Sequence, residues 1–484
     1  KFIPKLLAQE IQRHCQFVTP GLRTDIYLYR EDAGIWADDG EKIIRELSAR
    51  LLGEKERINR IKEVIECIKN NTFIDRDKLG RSSVKVVVQN GVLNLETFEL
   101  EPFDPELYAL NALPITYDPE KKCPFIIKFL NEVAPKDLET LQEWIGYHLL
   151  KAYPYHKCLM LVGGGRNGKS TFLALLRTFL GEENVESLSL YLITSNINAR
   201  TKLYGKLANI SADISSDELK RTGDLKSLAG GDWLFARKLY QEGFDFLNYA
   251  KLSFAANQIP TSPDQSRAFF SRWLIIGFPN KFEGENCDPA ILSKLTTDDE
   301  LSGLLNWALR GLQRLVKNGD FTNSPTAEET QELYEQMSDP VTAFISNCLE
   351  PIHEGIETKD DLYNAYYLFC RTRRFSYVMK NILTKQLKPK VPEILGIALS
   401  ETTRNKKTCW QGIQLLCEDC HMCQEPQPQK EKTVTTLFDV PPLCEECSEP
   451  ITDGSNITWR DGRRVCRRCQ MFLIKTYKET KEDG

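Results

Sequence analysis

The sequence predicts a multidomain α/β protein built around a nucleotide-binding sheet, and three observations carry that prediction. At 484 residues the chain exceeds what one hydrophobic core organises, so two to four domains are expected. Through its middle, short apolar runs alternate with helical stretches, the pattern of a mainly parallel sheet covered by helices. One of those runs, KCLMLV, leads directly into the glycine-rich loop Gly163-Gly164-Gly165-Arg166-Asn167-Gly168-Lys169-Ser170. That loop fits the P-loop pattern G-x-x-x-x-G-K-[ST].

Composition is that of an ordinary globular chain, 41% hydrophobic and 27% charged. No run of 18 apolar residues occurs, so no membrane-spanning helix is expected. The net charge of -5 excludes a wholly basic coating protein but not a local nucleic-acid track. The chain begins Lys1-Phe2 with no signal-peptide pattern, which reads as a fragment or processed chain with a further domain upstream.

Along the chain, residues 1–124 read as an α/β domain. Amphipathic helical stretches lie near 40–70, and Val84–Leu100 reads as a strand pair turned at Asn90-Gly91. The turn-rich segment Tyr117–Pro124 marks a boundary. A helical stretch from Phe125 to about Lys151 opens the core, 125–320. After the P-loop comes an amphipathic helix stopped by Gly181, then apolar strands within KLANISAD, AKLSFAANQIP and SRWLIIGFP. Residues 325–416 read as helices followed by short strands, 417–443 as a Cys-containing linker, and 444–484 as a metal-bound tail.

The loop's residue types suit phosphate. Gly163, Gly164, Gly165 and Gly168 let backbone N–H groups curl round phosphate oxygens, with Arg166 and Asn167 completing the turn. The helix beginning near Ser170 and Thr171 offers its positive end to the anion. Lys169 would reach the β- and γ-phosphates of ATP, and Ser170 would ligate Mg2+. Asp213, closing the apolar run of LANISAD, stands where a second Mg2+-holding acid belongs and would polarise the attacking water. Asp217 and Glu218 follow, with solvated or capping roles as the competing reading. Asn257 ends the next apolar strand, as a γ-phosphate sensor would, or as a simple turn former before Pro260. Arg267 and Arg272 precede the last strand; each is either an arginine finger for a neighbouring subunit or a surface ion-pair partner.

Taken in order, NGVLNLET, YDPEKKCPF, LQEWIGYHLLK, LMLVGGGRNGKSTFL, LKSLAGGDWLFARKLYQ, AKLSFAANQIP and FFSRWLIIGFP resemble the superfamily 3 helicases, above all the poxvirus-type primase-helicases and their phage and plasmid relatives. The resemblance spans about residues 90–280. It implies an AAA+ ATPase core, a hexameric ring moving 3′-to-5′ along single-stranded DNA, ATP sites between subunits, and Arg272 acting on its neighbour. It also implies a channel hairpin, matched here by AGGDWLFARKLYQEGFDF, with Arg237 and Lys238 at the DNA-contacting positions and Lys226 nearby. A solvated charged turn is the alternative for that hairpin. One departure stands out: Ala212-Asp213 replaces the commoner pair of adjacent acids, which puts the catalytic base in doubt.

Between Arg371 and Lys407 ten Lys or Arg face only Glu393 and Glu401. The order helix, helix, hairpin there resembles a winged helix, with Lys406 and Lys407 in a DNA-touching wing, or else a basic face for a neighbouring subunit. In the tail, Cys444-x2-Cys447 and Cys466-x2-Cys469 fit two knuckles of a zinc ribbon, whose four thiolates make Zn2+ structural. Cys417, Cys420 and Cys423, with His421 and Cys409, offer a weaker second site.

The reading is therefore an ATP-dependent DNA helicase of a viral, phage or plasmid replication protein. It would work on single-stranded and forked DNA in the host cytoplasm or nucleoid, with no membrane partner, alongside an upstream primase domain or other replication proteins. Two alternatives stay open: an ATP-gated origin-binding initiator or loader, and the helicase part of a primase-polymerase.

Overall fold

In the computed structural model, the described residues are 2–21, 25–80, 84–212, 214, 222–238, 243–257, 259, 262, 264–284, 287–373, 375, 377–404, 407–416, 457–458 and 464–465. Residues 1–423 form one compact unit and 424–484 a second.

The first unit opens with three helices, Pro4–His14, Gly40–Leu52 and Ile58–Asn71. Each carries an apolar stripe, and Ala8, Ile11, Ile44, Ile61, Val64, Ile65 and Ile68 meet Phe17, Ile26 and Leu28 in one core. An antiparallel sheet of Phe17–Val18, Tyr27–Arg30 and Ile35–Ala37 lies beside them. The hairpin expected at Asn90-Gly91 is shifted by one residue. Val88 pairs with Gly91, so Gln89-Asn90 makes the turn and Gly91 begins the second strand. The reason for glycine there is close packing: a Cβ would stand 2.4 Å from the carbonyl oxygen of Glu101.

Five strands form the central sheet: β1 (Cys158–Val162), β2 (Val185–Glu186), β3 (Ala208–Ser211), β4 (Lys251–Ala256) and β5 (Trp273–Gly277). All pair in parallel, in the order β5-β1-β4-β3-β2. β1 and β4 are buried throughout, as a sheet covered on both faces requires. The two-residue β2 is an addition to the strands expected from sequence, because a strand so short leaves no periodic pattern. From β1 the chain crosses to the far edge, and from β4 it passes to the other side of β1. The carboxyl ends of β1 and β4 therefore flank a topological switch point, where open α/β sheets bind ligands.

Helices Pro124–Val133, Leu138–Tyr147 and Asp298–Asn318 back this sheet. The 21-residue Asp298–Asn318 helix starts at a Thr297 cap with three acids in its first turn and ends at Gly319 in the left-handed region. It lies close against Leu138–Tyr147, since a Cβ on Gly146 would stand 2.3 Å from the Ala308 carbonyl oxygen. Between them Glu143 is fully buried. Its carboxylate accepts from Arg314 Nε (2.6 Å), Thr322 N (2.7 Å) and Thr322 Oγ1 (2.5 Å). Removing one partner of such a pair leaves an uncompensated charge, so Glu143→Ala should lower stability by about 3–5 kcal/mol, read as the shift in a urea midpoint.

His148 ends the same helix region and is completely buried. Its Nδ1–H donates to the Trp144 carbonyl (2.7 Å), and Nε2 has no hydrogen-bond partner. Burial first, then the charge of Lys251, pushes its pKa down to about 3. The unfolded chain binds a proton near pH 6.5 that the folded one refuses, so stability is complete above pH 6.5 and falls as pH drops towards 3. The slope contributed is about 1.4 kcal/mol per pH unit. Lys151, pushed to about 8 by burial, is already charged below that and adds no slope in this window. Urea midpoints between pH 7 and 4 should therefore fall less steeply for His148→Gln than for the parent.

Residues 327–415, still within the first unit, form helices Ala327–Ser338 and Pro340–Cys348, strand Leu349–Thr358, helices Lys359–Arg373 and Lys380–Leu395, then strands Ser400–Arg404 and Lys407–Leu415. The last strand lies between the other two in an antiparallel sheet. Phe344, Tyr366, Phe369, Leu387 and Trp410 are buried within it. In the second unit, Ile457–Thr458 pairs antiparallel with Arg464–Val465. Cys444, Cys447, Cys466 and Cys469 lie outside the described residues, as do Cys417, Cys420, His421 and Cys423. No helix among the described residues is long and apolar enough to cross a membrane.

Candidate functional site

The glycine-rich loop leaves the carboxyl end of β1 and enters helix Lys169–Leu180, which is stopped by Gly181 at φ +90°, as the sequence suggests. Gly165, Arg166 and Gly168 all take left-handed backbone (φ +55°, +52° and +88°), which curls the loop tightly. Two contacts anchor it: the Gly163 amide donates to the Ala256 carbonyl (3.2 Å), and the Phe282 amide donates to the Arg166 carbonyl (2.8 Å). Gly163 has no room for a side chain, because its Cβ would meet Asn167 Nδ2 at 1.9 Å. At Gly164 and Gly165, by contrast, nothing lies within 4 Å of where a Cβ would stand. The loop thus has a crowded floor and an open top.

Lys169 is buried against that floor. Its ammonium donates to the Gly163 carbonyl (2.5 Å) and to Asn167 Oδ1 (2.9 Å), with Asn257 Oδ1 at 3.4 Å. Asn167 is fixed in turn, its Nδ2 donating to the Phe278 carbonyl (2.9 Å). Ser170 is exposed and Thr171 half-buried at the start of the helix. Asn257 directly follows β4, whose last residue Ala256 pairs with Val162 of β1. So the fold brings Lys169, Asn167 and Asn257 together at the switch point. Asp213 lies outside the described residues, and so do Asp217 and Glu218; β3, which leads towards Asp213, is the strand beside β4.

Arg272 is not at this loop. It precedes β5 at the opposite end of the sheet, where its carbonyl accepts from the Cys158 amide (2.6 Å) at the start of β1. Four residue steps of about 3.3 Å, roughly 13 Å, separate that end from Val162. Its Nε is buried with no hydrogen-bond partner. Arg267 is exposed and faces Glu328 at 3.3 Å, the ion-pair alternative.

The expected hairpin is present: Trp233–Arg237 pairs antiparallel with Gly243–Leu247, in register from Trp233/Leu247 to Arg237/Gly243. Arg237 is exposed at its far end. Lys238, next along, forms an ion pair with Asp25 of the N-terminal region. The Arg76 guanidinium lies 4.3 Å from the Phe244 ring centroid, so the N-terminal region touches the hairpin at two places. Lys226 is not on the hairpin. It sits on helix Thr222–Leu228 and bonds Asp264 (2.8 Å) and Ser266 (2.8 Å).

In the 327–415 region, the positive excess of the sequence is partly absorbed, in good part by acids lying before Arg371. Lys390 pairs with Asp339 and Lys380 with Asp360, while Lys388 and Lys359 share Glu401 (2.9 and 3.0 Å). Lys407 and Arg404 face each other across the final hairpin, both exposed; Lys406 lies outside the described residues. Cys409 is buried on the last strand.

Comparison with known proteins gives two family matches. Residues 8–135 match the family described as "D5 N terminal like", and residues 161–272 match the family of unknown function DUF5906. The chain is 25% identical over 225 residues to "Putative helicase 121R" of Invertebrate iridescent virus 3, covering 43% of this chain and 24% of that protein. It is 26% identical over 263 residues to "Putative helicase L207/L206" of Acanthamoeba polyphaga mimivirus, covering 47% and 27%. It is 23% identical over 397 residues to "Putative primase C962R" of African swine fever virus, covering 74% and 40%. The chain thus spans between a quarter and two fifths of the length of these curated relatives. Among solved structures, the apo C-terminal region of NrS-1 is matched at 13% identity with a TM-score of 0.45, over 86% of this chain and all of that one. With its D5 N terminal like and DUF5906 segments, the chain is similar to large-DNA-virus proteins named "Putative helicase" and "Putative primase".

Proposed function

We propose that the chain is an ATP-dependent DNA helicase module of a viral, phage or plasmid replication protein, with a superfamily 3, AAA+ type motor. The observation that carries this is the Lys169 ammonium, held by the Gly163 carbonyl and Asn167 beside Asn257 beneath an open glycine loop at the switch point. A phosphate chain entering over Gly164 and Gly165 meets loop N–H groups, the helix N-terminus and Lys169 together. Lys169 exchanges loop acceptors for phosphate oxygens, and Asn257 stands next to the position its ammonium leaves. Ser170, which is exposed, would hold Mg2+ together with Asp213, and the ion would neutralise phosphate charge when bound.

Arg272 acts on the neighbouring subunit's ATP in a ring, hexameric on the resemblance. Its place at the end of the sheet away from its own loop supports action in trans. The hairpin bearing Arg237 and Lys238 contacts single-stranded DNA, with 3′-to-5′ movement expected. The helix-strand-helix-helix-hairpin order of 340–415 supports a winged helix, whose wing carries Arg404, Lys406 and Lys407 toward duplex at a fork. Cys444, Cys447, Cys466 and Cys469, whose spacing fits a zinc ribbon, would hold structural Zn2+. The site of action is the host cytoplasm or nucleoid.

ATP turnover with and without single-stranded DNA tests this reading. A motor that tracks DNA hydrolyses several-fold faster when the strand is present, because hairpin and ATP site move together. Turnover indifferent to DNA in a chain that binds DNA supports an ATP-gated initiator instead, and counts against the motor.

A further inference from the structure

One face of the 233–247 hairpin is unusual for a solvated turn. Exposure alternates along the first strand: Trp233 (54% exposed), Phe235 (47%) and Arg237 point outward, while Leu234 and Ala236 are buried. On the partner strand Gly243, Asp245 and Leu247 share that outward face. The inward face is already occupied, by Phe246 and by Tyr204 against Phe244. Two large rings are therefore presented outward beside a permanent cation, on the element proposed to contact DNA.

Phe235 is also held in place. A Cβ on Gly243 would stand 2.2 Å from its ring, so the ring lies directly over the glycine backbone. One ring face is covered by the hairpin itself, and the half-exposed remainder is turned to solvent. Residues two apart on a strand are about 6.8 Å apart, twice the ~3.4 Å spacing of stacked bases, so each ring has room for its own base. Exposed aromatic faces next to an arginine suit unpaired bases with their phosphates, in any sequence. Asp245, opposite Phe235, repels phosphate and favours a backbone path along the Arg237 side.

We propose that Trp233 and Phe235 form a base-stacking platform for single-stranded nucleic acid, so that the hairpin grips bases as well as phosphates. This rests on the reading of the hairpin as the DNA-contacting element. The platform is sequence-tolerant, since every base offers a π-face. Gly243 is its positioning residue, because any side chain there displaces the Phe235 ring.

The test compares affinities of the full chain for an oligothymidylate strand and an abasic strand of equal length. The parent should bind the thymidylate strand about tenfold more tightly or better. The Trp233→Ala/Phe235→Ala double variant should bring that ratio near one while leaving abasic affinity unchanged, which also shows that it is folded. Gly243→Val should reduce the ratio partially, and Trp233→Tyr should retain most of it. Arg237→Ala should weaken both strands equally. A double variant that keeps the parent's ratio overturns the platform, and if Arg237→Ala still weakens both strands, the hairpin reading survives alone. Loss of both effects refutes both. A change in oligomer mass with no change in the ratio makes this face a contact between copies of the chain and overturns the proposal.

Discussion

Lys169→Ala should lower ATP turnover by about 10^2–10^3-fold at saturating nucleotide. The lysine is buried, and its ammonium is shared among the Gly163 carbonyl, Asn167 and Asn257, all at the carboxyl ends of β1 and β4. Alanine removes the loop cation that meets the β- and γ-phosphates in the proposed complex. It also leaves the Gly163 carbonyl and Asn167 Oδ1 without that donor, so a melting curve should accompany the rate. A folded Lys169→Ala protein whose turnover stays within tenfold of the parent would contradict the site. Gly163→Ala should be at least as damaging, because its Cβ collides with the Asn167 amide that positions Lys169.

Arg272→Ala should cost about 10^3-fold or more in turnover while nucleotide affinity stays close to the parent's, the signature of an arginine finger. The distinguishing experiment mixes subunits. Arg272→Ala and Lys169→Ala proteins, each inactive, are combined in equal amounts and allowed to exchange. In a ring, about a quarter of interfaces then join an intact loop to an intact finger, and turnover should recover to about that fraction. An arginine acting within its own subunit gives no recovery. The sheet register already disfavours that case, since Arg272 directly precedes Trp273, which sits level with Cys158, while the loop begins beyond Val162.

Much of the core is legible in the sequence because its signals are local. The glycine-rich loop, the apolar strands of KCLMLV, ANIS and KLSFAA, and the stop at Gly181 each depend on a few neighbouring residues. The hairpin is legible only through its family resemblance, and Lys238's partner Asp25, more than two hundred residues away in sequence, is beyond any local pattern. Long-range satisfaction of charge is invisible for the same reason. Glu143, Arg314 and Thr322 meet only through packing of two distant helices, and Lys251 looks like an ordinary strand-edge lysine. Its ammonium is in fact buried against the carbonyls of Leu150, Ala152 and Tyr249. Trp233 and Phe235 carry no functional signal in the sequence, because aromatic residues on an alternating strand read first as core. Only the observed exposure separates a core face from a presented one.

Strand displacement on a forked duplex, with ATP and Mg2+, bears most directly on the proposed motor. The parent chain should release the displaced strand in an ATP-dependent manner, and the Lys169→Ala chain should release none. An assembled oligomer that hydrolyses ATP yet separates no strands on forks of either polarity would contradict the helicase reading for this chain.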